Sequence, residues 1–381
     1  MKNAGRKKHM DNLSLKFKRV LSFISQGSTL LTVLIITLLS ILMLVEASRA
    51  ATFDVSTKEE FQSALTTAQD NGEDDIINVA AGSITVNGFF QQLEFSSSEA
   101  FSLTIKGAGA RSTILEGVGY ALFLRIVTSH DVTISDMTFK NGSFVAGFGP
   151  AVYVEGQNVT IERCIFTENG PDKTIWITIN NGYGYIRNNI FSGNKGPGIF
   201  VQCLTGLSYP RFSNNTFDGN LGGGIELDGI GDVLIQSNVV WGADSAQGQI
   251  LLNTENIVAL FGNIYRDVNG EPAVEDYNDT SDPMFVANGH WDDNGTPGDT
   301  SDDLWVDGDY HLQAGSPCID SGYYSSATPA TDFEGNEPFD DPDTQNTSNA
   351  PFFFGDRGAY EYIPTPKVKL LPGTLLLLLS N

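Results

Sequence analysis

Two rows of side chains near the middle of the chain have the types and spacing to work on a sugar. Apolar pairs recur at Val152 and Val154, Ile175 and Ile177, Ile199 and Val201, Ile225 and Leu227, and Ile250 and Leu252. Successive residues of a strand point to opposite faces, so inward-facing pairs force their alternates outward. One outward row is then Tyr153, Trp176, Phe200, Glu226 and Leu251, and the next is Glu155, Thr178, Gln202, Asp228 and Asn253. Aromatic faces can cover the C–H face of a pyranose while polar neighbours bind its hydroxyls. Tyr153, Trp176, Phe200, Glu155 and Gln202 are therefore the candidate substrate-binding residues. Glu226 and Asp228 are the candidate catalytic pair, because neighbouring carboxylates bind a cation that neutralises a uronate or share acid/base work. The competing expectation is that these are ordinary strand residues covered by a loop or by the C-terminal region.

A second chemical signal is the loop containing Asp292, Asp293, Asn294, Asp299, Asp302 and Asp303, punctuated by Gly295 and Gly298. Hard oxygen ligands at close spacing suit Ca²⁺, though the spacing is not that of an EF-hand; the alternative is a solvated acidic loop. His130, His290 and His311 are scattered and lack zinc spacing. A Gly-rich phosphate loop and a nucleophile elbow are both absent, so no organic cofactor is expected.

The elements that must position these residues are legible in a repeat. Segments ending at Phe139, Phe166, Phe191, Phe217, Val240 and Tyr265 superimpose without gaps, their ends 27, 25, 26, 23 and 25 residues apart. Five positions before each end stands Ile134, Ile161, Ile186, Phe212, Ile235 or Leu260, and two positions before it Met137, Cys164, Asn189, Asn215, Asn238 or Asn263. Short β-branched runs with Gly/Asn turns and no 3.6-residue period describe one coil of a stacked solenoid. Stacking predicts an interior Phe139/Phe166/Phe191/Phe217 column and asparagines that bond the backbone of neighbouring bends. Cys164 and Cys203 are expected as small core residues. Before the repeat, Ser56-Thr57-Lys58-Glu59 has capping-box spacing and Phe61, Ala64, Leu65 and Ala68 share a helical face, which predicts a helical cap on the first coil. The strand-like runs Ile76–Val79 and Ser83–Val86 follow it.

Charge and the termini set the compartment. Of 22 Lys+Arg and 46 Asp+Glu, the first fifty residues take eight and two, leaving 14 against 44 and a net charge of −30 on the remainder. Such a surface repels nucleic acid and anionic lipid. Three cysteines are too few for a disulfide framework. A basic stretch to Arg19, an apolar run from Leu30 to Val45 and small residues ending at Ala50 read as a Sec-type signal cleaved after Ala50; an uncleaved signal anchor is the competing reading. Either way the acidic part is exported. The apolar stretch Val368 to Leu379 is too short to span a bilayer and is interrupted by Lys369, Pro372 and Gly373, which suits a sorting tail or a frayed end.

With its capping helix and first coil, the chain through Asp267 resembles the pectate-lyase-like parallel β-helix proteins. Further on, the segments Asp282-Pro283-Met284-Phe285-Val286, Gly308-Asp309-Tyr310-His311-Leu312, Gly315-Ser316-Pro317-Cys318-Ile319-Asp320-Ser321-Gly322, Thr331-Asp332-Phe333-Glu334-Gly335-Asn336 and Asp356-Arg357-Gly358-Ala359-Tyr360-Glu361 occur in order. They resemble the choice-of-anchor Q region at the C-terminal end of bacterial surface β-helix proteins. That resemblance implies location and architecture and brings no catalytic residues with it. Polysaccharide lyases of this fold class need a Lys or Arg base, for which Lys173, Arg187 and Arg211 are candidates by type.

The expected fold is all-β, a right-handed single-stranded parallel β-helix with an N-terminal helical cap and an irregular acidic C-terminal region. The expected division is a signal at 1–50, cap and first coil at 51–90, coils at 91–267, the anchor-like region at 268–363 and a tail at 364–381. The functional expectation is an exported cell-surface protein that recognises an extracellular polysaccharide without catalysis. A polysaccharide lyase or glycan hydrolase, and a structural or adhesive stalk, are the alternatives. Membrane attachment is expected only through the N-terminal signal or a C-terminal anchor, and the oligomeric state is left open.

Overall fold

A coil of this protein is built from three strands too short to stand alone. The coil at Val152–Gly156, Val159–Glu162 and Ile165–Thr167 has burial alternating along its first two strands, and two residues separate each strand from the next. The bend between the second and third strands needs a left-handed residue, supplied in successive coils by Asp136, Arg163, Asn188, Asn214, Ser237 and Gly262 with φ between 48° and 63°. Gly, Asn and Asp reach this region at little cost; Arg163 and Ser237 are held there by the stacked bends around them. The computed structural model describes residues 50–364 apart from 88–91, 119–121, 143–149, 243–247, 255–256 and 301. The expected signal segment through Arg49 and the tail from Thr365 lie outside the described residues.

Among the described residues, stacking the coils produces three parallel sheets of ten, eight and seven strands. The first carries Val159–Glu162 and its equivalents, the second Val152–Gly156, and the third Ile165–Thr167. The chain is thus a right-handed parallel β-helix, as the repeat predicts. In the third sheet Phe139, Phe166, Phe191 and Phe217 pair in direct register, and their rings stack at 4.8, 4.9 and 4.6 Å with Phe123 extending the stack. Removing one such buried ring typically costs about 3–5 kcal/mol. The inward pairs of the second sheet also hold, from Val152 and Val154 to Ile250 and Leu252.

At the bend, Asn189, Asn215, Asn238 and Asn263 form a buried ladder in which each Nδ2 donates to the next Oδ1 and to a carbonyl of the coil before. These asparagines are structural, as expected. Asn278 extends the ladder, with only 15 residues separating it from Asn263. A further short coil, formed by Val268–Asn269 and Val274–Asp276, therefore continues the solenoid beyond the boundary expected at Asp267.

Helix Lys58–Ala68 buries Phe61, Ala64, Leu65 and Ala68 against the first coils. Its capping box lies one residue later than the spacing suggested: Thr57 is the N-cap, paired with Glu60, and Ser56 also donates to the Glu60 carboxylate. A strand at Ala51–Val55, which the pattern did not disclose, pairs with Asp75–Val79 and covers the edge of the first sheet.

The C-terminal region is less irregular than expected. Residues 280–364 form a cover with antiparallel pairs Phe285–Ala287 with Asp309–Leu312 and His290–Asp292 with Leu304–Val306. The cover packs on the outer face of the third sheet. A second core forms there from Ile165, Ile190, Val239 and Ile264 of the solenoid with Phe285, Tyr310, Leu312, Ile319 and Phe333 of the cover. Trp305 lies against Gly193 and Gly219, where any Cβ would meet its ring at 2.1 Å.

Candidate functional site

The outer face of the second sheet brings the predicted rows together. Tyr153 pairs with Trp176, Trp176 with Phe200, Phe200 with Glu226, and Glu226 with Leu251, all in parallel register. The adjoining row Glu155, Thr178, Gln202, Asp228 and Asn253 is equally in register. This follows from the alternation that sends the intervening valines and isoleucines to the core.

Exposure along the aromatic row is not what the pattern suggested. Tyr153 and Trp176 are half-buried, their rings meeting edge to face at 5.8 Å and 68°. Phe200 is only 5% exposed. Its ring meets Trp176 at 5.0 Å and 86°, and Lys173 lies over it with Nζ 3.9 Å from the centroid. The same Nζ makes an ion pair with Glu226 at 3.2 Å. The expectation of three exposed rings is therefore corrected to two half-buried ones, because a cation–π contact and an ion pair close over the third. Thr178 is buried as well.

The polar surroundings are largely committed to one another. The Tyr153 hydroxyl donates to Glu155 Oε2 at 2.9 Å, and Asn180 Nδ2 donates to Glu155 Oε1 at 2.9 Å. Burial is the main cause that raises the Tyr153 pKa, so the phenol stays protonated and able to donate. Arg125 is 5.8 Å from the Tyr153 ring centroid and bonds Glu94 at 2.9 Å. Gln202 and Asp228 are half-buried beside them.

Of the two candidate catalytic carboxylates, Glu226 is held by Lys173 and Asp228 stands two residues on along the same outward face. Among the basic candidates, Lys173 alone reaches this face. Arg187 belongs to the first sheet and binds Glu162 at 2.7 Å, while Arg211, also there, donates to the Asp232 carbonyl at 2.6 Å.

The acidic loop lies between the arms His290–Asp292 and Leu304–Val306. Its side chains brace the turn: Asp292 accepts from the Asn294 amide at 2.8 Å, Asp293 from the Gly295 amide at 3.0 Å, and Asp302 from the Thr296 hydroxyl at 2.9 Å. Asp292, Asp293, Asn294 and Asp299 are exposed and Asp302 and Asp303 half-buried. Among the described residues, no group of three or more His, Cys, Asp or Glu side chains is placed to hold a metal ion.

Two features escaped the sequence reading. A second asparagine ladder, Asn169, Asn194 and Asn220, satisfies the backbone where each coil passes to the next. On the first sheet Tyr183, 43% exposed, stacks on Tyr209 at 5.1 Å and on Tyr185 at 5.8 Å, with Arg187 and Arg211 alongside. Alternation about the inward Ile186 and Phe212 was the signal that could have found them.

Residues 96–278 match the family model described as the right handed beta helix region. The match ends at the residue that closes the asparagine ladder, so it covers coils and leaves out the cover. By fold the chain is a parallel β-helix protein. None of the curated proteins matches it.

Proposed function

We propose that this is an exported surface protein that binds an extracellular polysaccharide along the outer face of the second sheet, without cleaving it. The observation that carries this reading is the in-register Tyr153–Trp176 pair, half-buried and flanked by Glu155 and Gln202. The cover, which was one candidate to bury this face, has its apolar packing on the third sheet. A non-catalytic role is favoured because Lys173 and Glu226 neutralise each other over Phe200 rather than standing free. Export is supported by the basic N-terminal stretch, its apolar run and the net charge of −30 beyond residue 50. The C-terminal segments resembling the choice-of-anchor Q region support attachment at a bacterial surface.

A depletion screen against soluble and insoluble polysaccharides tests the reading, followed by Trp176→Ala on whatever binds. Losing the indole should weaken binding by about 1–3 kcal/mol, roughly 5- to 150-fold, and, because the ring also packs on Tyr153 and Phe200, lower the melting temperature while the protein stays folded. Unaltered affinity for every glycan bound by the parent would remove the proposal and leave a structural stalk ahead. Release of unsaturated uronates by the unmodified protein would instead favour a lyase using Lys173.

A further inference from the structure

We propose that docking of the C-terminal cover on the third sheet is controlled by proton uptake at two carboxylate joints, so that the cover is held tightly in mild acid and loosens as the pH rises past neutrality.

The first joint spans the interface. Asp218 ends the third-sheet strand Thr216–Asp218 and is 1% exposed. Its Oδ2 accepts the Gly289 amide of the cover at 2.9 Å. Asp307 of the cover faces it, accepting the Ser192 hydroxyl at 3.0 Å and the Trp305 indole N–H at 2.8 Å, and the Tyr310 phenol is the other titratable group against Asp218. Arg111 and Lys140 feel the charge of Asp307 but make their direct contacts elsewhere: Arg111 donates to the Tyr360 hydroxyl and Lys140 pairs with Glu168.

The second joint lies behind the cover's final contact with the solenoid. Asp320, Asp332, Asp341, Asp356 and Glu361 are all buried within it. Asp356 accepts the amides of Asp320 at 2.8 Å and Tyr362 at 2.6 Å, and Glu361 accepts those of Phe339 at 2.8 Å and Asp356 at 3.2 Å. Asp332 accepts the Glu361 amide at 3.0 Å and Asp320 that of Asp341 at 3.1 Å. The neighbouring backbone fastens the cover through Asn214 Nδ2 to the Asp356 carbonyl at 2.8 Å, the Gly358 amide to the Ser237 carbonyl at 2.8 Å and the Ala359 amide to Thr216 Oγ1 at 3.0 Å. Arg357, the cation next in sequence, turns to the carbonyls of Ser321 and Tyr277, and the titratable groups that face it are the Cys318 thiol and the Asp279 carboxylate. Asp340 adds further negative charge beside Asp320. His311 faces Asp309 and Glu334.

Gathering carboxylates in a low-dielectric interior without a matching cation disfavours their ionised forms. Burial pushes Asp218 up to about 7 and Glu361 up to about 8, with Asp320 at about 6 and Asp356 well above the usual carboxylate range. A raised acid binds its proton more tightly in the folded state, so its stabilisation is complete below the ordinary value near 4 and is lost as the pH climbs through about 6 to 8. His311, raised by Asp309 and Glu334 against the effect of its own burial, acts in the same direction. Asp309 and Asp279 are lowered by hydrogen bonds and act oppositely, only in stronger acid.

Hydrogen exchange on the full chain between pH 5.5 and 9, corrected for intrinsic rates, tests this. Protection of the Gly289, Gly358 and Ala359 amides should fall by about tenfold or more across that range, while the Asn189 and Asn215 amides of the ladder hold. Asp218→Asn and Glu361→Gln should each flatten the response. Cover protection that stays level with pH, or that changes in step with the ladder amides, would overturn the proposal, and the unmodified protein alone suffices for that result.

Discussion

Asn215 is where the solenoid can be probed most directly. Its side chain is fully buried, with Nδ2 donating to the Ile186 carbonyl and to Asn238 Oδ1, both at 2.8 Å, while Oδ1 accepts the Asn189 amide at 3.0 Å and Asn189 Nδ2 at 2.9 Å. Asn215→Ala removes all four bonds. Asn238 Oδ1 keeps the Asn215 backbone amide, and Asn189 Nδ2 keeps the Ile161 carbonyl. Two groups lose every bond made through this side chain, the Ile186 carbonyl on its ladder side and the Asn189 amide. At about 1–3 kcal/mol for each buried group left unsatisfied, the loss should be about 2–6 kcal/mol. Asn215→Asp should cost at least as much near neutral pH, because it replaces a donor with a negative charge facing two oxygens, and it should recover in part in acid, where a protonated carboxyl can donate again. Urea unfolding monitored by circular dichroism gives the loss, and exchange at the Asn189 amide gives its location. A loss below about 1 kcal/mol for the alanine variant, or an unchanged Asn189 amide, would refute the view that the ladder satisfies the bends.

Gly219 has φ +62° and no room for a Cβ beneath Trp305, so Gly219→Ala should destabilise by about 1–3 kcal/mol and alter the near-ultraviolet signal of the displaced indole; an unchanged melt and spectrum would mean that the cover does not sit there. Cys164, Cys203 and Cys318 are buried, and burial pushes each thiol up to about 12. All three should resist a thiol reagent at neutral pH until denaturant is added, and fast labelling of the folded protein would contradict that packing.

The coil, its core columns and the register of the candidate face were determined by the sequence itself. A period near 25 residues lines up identical side chains in adjacent coils, and strand alternation then assigns Tyr153 and Trp176 to the outside and Val152 and Ile177 to the inside. These relations are local or repeat from coil to coil, so one chain displays them several times. The tertiary structure alone decided that Phe200 is closed off, since Lys173 reaches Glu226 across 53 positions of sequence and folds over the ring between them. The cover's choice of the third sheet is likewise unrepeated. It depends on Trp305 fitting over Gly193 and Gly219 and on carboxylates such as Asp356 binding backbone amides rather than cations, contacts that leave no period for a sequence to show.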